Sequence, residues 1–224
     1  MTYSLAIFDL DGTVLYTLTD LEISLNHALT SRGFPPRTTD EVRRFIGDGM
    51  LKLVERAVPP HASAEEQKAV YAAMTAHYAV HCADHTHPYE GILPLLDALQ
   101  AAGMRLAVVS NKDDYAVREL CQHYFPGKLD FAVGRRDGIP KKPAPDLVHL
   151  VLKDLGIAPT DAVYIGDSDV DVNTARNAGM DAVSVTWGYR DVEFLRAHGA
   201  TSFVHTPEEL GALLLSTPKE GDRS

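Results

Sequence analysis

The chain has 224 residues, 45% of them apolar and 23% charged, which suits a folded, water-soluble protein with a sizeable core. Its formal charge of −10 argues against a nucleic-acid binder or a protein of anionic membrane surfaces, which carry a basic face. Cys82 and Cys121 give no disulfide framework, and no stretch is long and apolar enough to span a bilayer, so a reducing, cytoplasmic setting is expected.

The first predicted element is a buried strand, Leu5 to Phe8, ending on Asp9-Leu10-Asp11-Gly12-Thr13. Strand residues two apart face the same way, so Asp9 and Asp11 start on one side of the chain. Gly12 lets the backbone turn without a Cβ in the way. Two carboxylates about 4 Å apart repel by roughly 4 kcal/mol at an effective dielectric near 20. Such a pair calls for a proton or a cation, and its oxygen ligands suit Mg²⁺. A cleaved leader would remove this pair, a second reason to expect a cytoplasmic protein.

Four helices are predicted next, over Asp20–Arg32, Asp40–Phe45, Met50–Val58 and Ala64–His81. Leu21, Leu25, Ala28 and Leu29 recur at helical spacing in the first, and Gly33 with Pro35-Pro36 ends it. No strand pattern interrupts this block, so residues 17–84 are expected to form an all-helical cap inserted into a core of residues 1–16 and 85–224. Within it, Gly47-Asp48-Gly49 lacks the third glycine of a dinucleotide loop, and Gly47 reads as part of a substrate-facing loop. His77, His81 and His85 recur every fourth residue, a spacing that reads as a solvated helix end rather than a metal site. Lys52 reads as surface.

After His87-Pro88 the rhythm changes. Helices over Ile92–Ala101, Asp113–His123, Pro145–Leu155 and Asp169–Ala178 alternate with strands over Arg105–Val109, Phe131–Val133, Ala162–Ile165 and Ala182–Val185. Two short helices around Ser202-Phe203-Val204 complete the core, and Lys219 to Ser224 reads as a frayed tail. Continuous apolar strands between amphipathic helices indicate an α/β fold, a doubly wound parallel sheet whose ligands bind beyond the carboxyl ends of the strands.

Three such ends carry further chemistry. Ser110-Asn111-Lys112 precedes a helix that Asp113 is placed to cap, and its hydroxyl, amide and free helix-start N–H groups suit a phosphate oxygen. In Lys141-Lys142-Pro143-Ala144-Pro145 the prolines restrict the backbone ahead of a helix and hold Lys142 in place. Gly166-Asp167-Ser168-Asp169-Val170-Asp171 alternates acids like a calcium loop, but Val172 and Ala178 stand where that loop needs glycine and glutamate. Asp167 is the better metal ligand, with Asp171 in support. Trp187 reads as packing, and Arg190 is placed to reach a substrate carboxylate.

Asp9-x-Asp11-x-Thr13, Ser110, Lys142 and Gly166-Asp167…Asp171, in that order, resemble the motifs of haloacid dehalogenase-like phosphohydrolases over essentially the whole chain. The insert resembles that family's C1-type cap. Phe45-Ile-Gly-Asp-Gly49 and Thr186-Trp-Gly-Tyr189 resemble its phosphoglycolate phosphatase-like members. The resemblance implies an Asp9 nucleophile, an Asp11 acid–base, a charge-offsetting Lys142, phosphate contacts from Thr13, Ser110 and Asn111, and Mg²⁺ on Asp9, Asp167 and the Asp11 carbonyl. A small phosphorylated metabolite is the expected substrate and phosphoglycolate the leading one. Sugar-phosphate phosphatase, pyrophosphatase, β-phosphoglucomutase-like and phosphonate hydrolase readings stay open, and a monomer or homodimer is expected. One departure is visible: Tyr16-Thr17 stands where such members often carry Asp-Ser. From another class, a receiver-like signalling module also combines acids, a hydroxyl and a lysine, but it has no helical insert after its first strand.

Overall fold

The computed structural model describes residues 3–216. The chain opens with β1 (Leu5–Phe8) and a two-residue strand, β2 (Leu15–Tyr16). Helices α1 (Leu18–Thr30), α2 (Thr39–Phe45), α3 (Met50–Ala57) and α4 (Ala64–His81) follow, and β3 (His87–Pro88) returns antiparallel to β2. The remainder alternates: α5 (Ile92–Ala101), β4 (Arg105–Asp113), α6 (Asp114–Tyr124), β5 (Phe131–Arg135), α7 (Asp146–Leu155), β6 (Ala162–Gly166), α8 (Asp169–Ala178), β7 (Asp181–Val185), α9 (Val192–Ala197), β8 (Phe203–Val204) and α10 (Pro207–Leu215). The predicted tail at Lys219 to Ser224 lies outside the described residues.

Six strands pair in parallel in the order β5-β4-β1-β6-β7-β8. The chain builds outward from β1 to one side, then crosses and builds to the other, so the order reverses at β1. Its carboxyl end, flanked by those of β4 and β6, is the topological switch point where such sheets bind ligands. Alternation along β1 feeds both faces. Ala6 and Phe8 pack with α5, α6 and α10, whereas Leu5 and Ile7 pack with α7 and α8. That two-sided burial is why the strands read as continuous apolar runs rather than alternating ones.

The predicted helical periodicity of α1 is realised: Leu21, Leu25, Ala28 and Leu29 are all buried. Capping boxes start two of the inserted helices, Thr38 with Glu41 on α2 and Ser63 with Glu66 on α4. The apolar interior of the four helices is continuous with that of the sheet face carrying Phe8.

Two features differ from expectation. The β2–β3 ribbon frames the helical insert, and two-residue strands are too short to show any periodicity in the sequence. Strand β4 also runs on through Ser110-Asn111-Lys112 to Asp113, with a register shift against β5 after Val109. Those residues are extended chain rather than a helix start. Asp113 does not cap α6, because its carboxylate takes the Arg135 guanidinium at 2.6 Å. A charge-assisted pair outcompetes neutral amides for that oxygen.

Asp20 fastens the return of the chain from the insert. Its carboxylate is buried and accepts the main-chain N–H groups of His85 and Thr86 at 3.0 and 2.8 Å, with His85 Nδ1 at 2.9 Å. Burial opposes ionisation, but these donors outweigh it and hold the carboxyl below its ordinary range. A depressed carboxyl adds stability above the unfolded-state pKa and loses it as pH falls through the folded one. Asp20→Ala is therefore expected to destabilise by about 1–3 kcal/mol at pH 7. Urea melts should show that difference shrinking toward acid pH.

Candidate active site

Asp9 follows β1 directly, Asp11 lies one turn further, Ser110 and Lys112 come from the end of β4, Lys142 from the loop before α7, and Asp167 from the end of β6. All but Lys142, which lies behind Asp9, line a cleft of roughly 720 Å³, its mouth included, with Ile46, Gly47, Met50 and Leu53 of the insert. Asp9, Asp167 and Asp171 each bring a buried carboxylate oxygen within 4.8 Å of the others. Gly12 (φ +84°) and Gly188 make room: a Cβ on either would lie 2.5 Å from Asp167 Oδ2. Tyr189 N–H donates to that oxygen at 2.7 Å and the Thr13 hydroxyl to Oδ1 at 3.3 Å.

Lys142 neutralises part of this charge. Its side chain is 1% exposed, and Nζ lies 2.9 Å from Asp9 Oδ1, 2.8 Å from Asp171 Oδ1 and 3.0 Å from the Tyr164 hydroxyl. Burial disfavours the ammonium, but the two carboxylates overcome it and hold the lysine charged, its pKa well above the ordinary value. Contact with Asp9 is ionic and off-line, leaving Oδ1 without a hydrogen-bond donor. Asp171 spends its other oxygen on the main-chain N–H and hydroxyl of Ser168, which closes a capping box on α8.

One lysine does not balance three acids. Burial, then the nearby carboxylates, drives the Asp9 and Asp167 carboxyls well above the ordinary range, with Lys142 opposing at Asp9 and the Tyr189 N–H at Asp167. Among the described residues this is the cluster with metal-ligand geometry. Its donors are hard carboxylate oxygens, one without a hydrogen-bond partner, which fits Mg²⁺. The histidines fit no such group: His77 stacks between His27 and His81, and His85 joins Asp20.

Asp11 sits across the cleft. Its Oδ1 accepts the Thr17 hydroxyl at 2.6 Å and lies 2.8 Å from Lys112 Nζ, which also reaches the Tyr78 hydroxyl of α4 at 2.9 Å. Thr17, at the departure from the usual motif, thus touches the second acid directly, and Tyr189 hydrogen-bonds Thr17 in turn. Lys112, Thr17, Tyr78 and Tyr189 have no sequence-predicted role.

Of the other predicted residues, Asn111, Thr13 and Arg190 serve differently than expected, whereas Gly47, Lys52 and Trp187 sit as read. Asn111 Nδ2 donates to Gly47 O at 3.2 Å and Lys142 O at 3.1 Å, so its amide ties loops together instead of facing a phosphate. Thr13 commits its hydroxyl to Asp167. Ser110 stays in the cleft wall, and Gly47 lines it from the insert. Arg190 donates to Arg43 O, Arg44 O and Ile46 O, clasping the end of α2. Lys52 pairs with Glu55 on the surface, and Trp187 packs while donating to Thr13 O at 3.0 Å.

The sequence model of the family "Haloacid dehalogenase-like hydrolase" matches residues 6–185. The chain belongs to this family. Among haloacid dehalogenase-like relatives, the phosphoglycolate phosphatase of Agrobacterium fabrum is 33% identical over 196 residues, covering 84% of this chain and 82% of its own. That of Chromobacterium violaceum is 34% identical, covering 92% and 94%. A crystal structure from Lactobacillus delbrueckii subsp. bulgaricus, provisionally named a phosphoglycolate phosphatase, superposes with a TM-score of 0.92 at 39% identity over 97% of this chain and all of its own. Membership of this hydrolase family ends the receiver-like reading.

Proposed function

We propose that this protein is a Mg²⁺-dependent phosphomonoesterase for a small metabolite, with phosphoglycolate the first candidate because relatives spanning most of the chain bear that name. The carrying observation is the buried pair of Asp9 and Asp167 beside the charged Lys142, facing the cleft that Asp11 borders. Asp9, Asp167 and the Asp11 carbonyl would hold Mg²⁺, which would supply positive charge to nucleophile and phosphoryl oxygens alike.

Asp9 attacks phosphorus in line, forming an aspartyl-phosphate as the ester P–O bond breaks. Asp11 gives a proton to the leaving alkoxide, then takes one from the water that releases inorganic phosphate and regenerates Asp9. Lys142 offsets charge on Asp9 throughout, and Ser110 offers a hydroxyl to the phosphoryl group. Phosphoryl transfer needs mainly positioning and charge stabilisation, which this set provides.

A phosphatase panel with Mg²⁺, comparing phosphoglycolate with hexose phosphates, nucleotides and pyrophosphate by kcat/KM, tests the reading. Activity surviving in excess chelator sinks the metal requirement, and no turnover of phosphoglycolate sinks that substrate. In single turnover, Asp11→Asn is expected to slow phosphoryl transfer from alkyl phosphates about 10²–10⁴-fold and from an aryl phosphate far less, since the better leaving group needs no acid. Equal losses on both would remove Asp11 from that role.

A further inference from the structure

Resting on the phosphatase reading, we infer that Lys112 is a specificity-determining residue. Its ammonium receives an anionic group carried by the leaving alcohol one or two bonds from the ester oxygen.

Subtraction leads to it. Among the described residues, the cations that border the cleft are Lys112 and Arg190. Arg190 is anchored to three main-chain carbonyls of the insert, and nearby Lys141 to Asp48 O at 2.7 Å. Lys142 is held on the nucleophile side by Asp9, Asp171 and Tyr164 and does not line the cleft. Lys112 is 6% exposed on its side chain and has two partners, Asp11 and Tyr78. An ammonium carries three N–H donors, so one remains for a ligand.

Placement supplies the rest. Asp11 addresses the ester oxygen in the proposed reaction, and Lys112 Nζ lies 2.8 Å from Asp11 Oδ1. A substrate whose ester oxygen meets Asp11 therefore brings its next substituent to Lys112. Tyr78 is fully buried and comes from the insert, so the ammonium is held from both sides of the cleft. Leu21, Met50 and Leu53 line the same cleft and give it an apolar part. A compact carboxylated alcohol fits this placement of the ammonium beside the acid.

The test compares phosphoglycolate with 2-hydroxyethyl phosphate, the neutral ester of matching length, in wild type, Lys112→Met and Tyr78→Phe. Hydrogen bonds to charged groups set the expected scale. Lys112→Met should lower the ratio of kcat/KM values, carboxylated over neutral, at least about tenfold, with the loss chiefly in KM for phosphoglycolate. Tyr78→Phe keeps the ring and should lower the ratio by a smaller factor. An unchanged ratio in folded Lys112→Met overturns the inference, as does an unchanged ratio in Tyr78→Phe should Lys112→Met not fold. Wild type hydrolysing both esters equally well also overturns it but leaves the phosphatase reading standing. Wild type inert on both and on aryl phosphates ends that reading and the inference together.

Discussion

Asp9→Asn is expected to reduce turnover by at least about 10⁴-fold while leaving the fold intact. An amide of nearly the same shape keeps the packing at the end of β1 but offers no oxygen nucleophile. The second half of this expectation concerns stability. In the metal-free protein, burial and neighbouring acids raise the Asp9 and Asp167 carboxyls above their unfolded-state range. The folded state then holds protons that the unfolded chain has already released. Stability of the metal-free protein should fall as pH climbs from the ordinary carboxylate range through neutrality. Asp9→Asn removes one of the offending anions and should flatten that slope. Thermal melts in excess chelator at pH 5.5 and 8 measure it, beside a rate assay with Mg²⁺. Substantial activity would end the nucleophile assignment. A steeper pH slope than wild type would mean that the cluster is not strained for positive charge.

Much of the site was legible because its chemistry is local. Asp9, Asp11 and Gly12 declare themselves at the end of an apolar strand, and strand order then forces the ends of β4 and β6 beside them. Asp167, Asp171 and Lys142 follow from the same geometry. What escaped depends on partners far away in the chain. Lys112 has no role that the sequence predicts until α4 carries Tyr78 over the cleft. Arg190 binds main-chain carbonyls, which have no side-chain signature to read. Asn111 looks like a phosphate donor, yet Gly47 and Lys142 present carbonyls to it first. Thr17 gains its purpose only when the chain turns back through β2 and sets its hydroxyl on Asp11.

Lys142→Met should both inactivate the enzyme and destabilise it by about 3–5 kcal/mol at neutral pH. The side chains are similar in length, so the effect is electrostatic rather than a matter of volume. Without the ammonium, Asp171 keeps only its Ser168 contacts, and Asp9 loses the charge 2.9 Å from its Oδ1. Tyr164 also loses a partner, though it still donates to Val109 O at 3.1 Å. A double-mutant cycle separates this from a general packing defect. In an Asp9→Asn background one of the two orphaned anions is already gone, so Lys142→Met should be less damaging there, by a coupling within about 0.5–3 kcal/mol. Protonation does the same work as mutation, so the single variant should regain stability relative to wild type as pH drops through the raised Asp9 carboxyl. Saturating Mg²⁺ should recover part of the loss by adding charge to Asp9 and Asp167, but not the part lodged at Asp171, whose oxygens face Ser168 and the missing lysine. Chemical denaturation with and without the metal resolves those shares. Additive losses in the double variant would mean that Lys142 stabilises through Asp171 and Tyr164 alone, with no hold on the nucleophile.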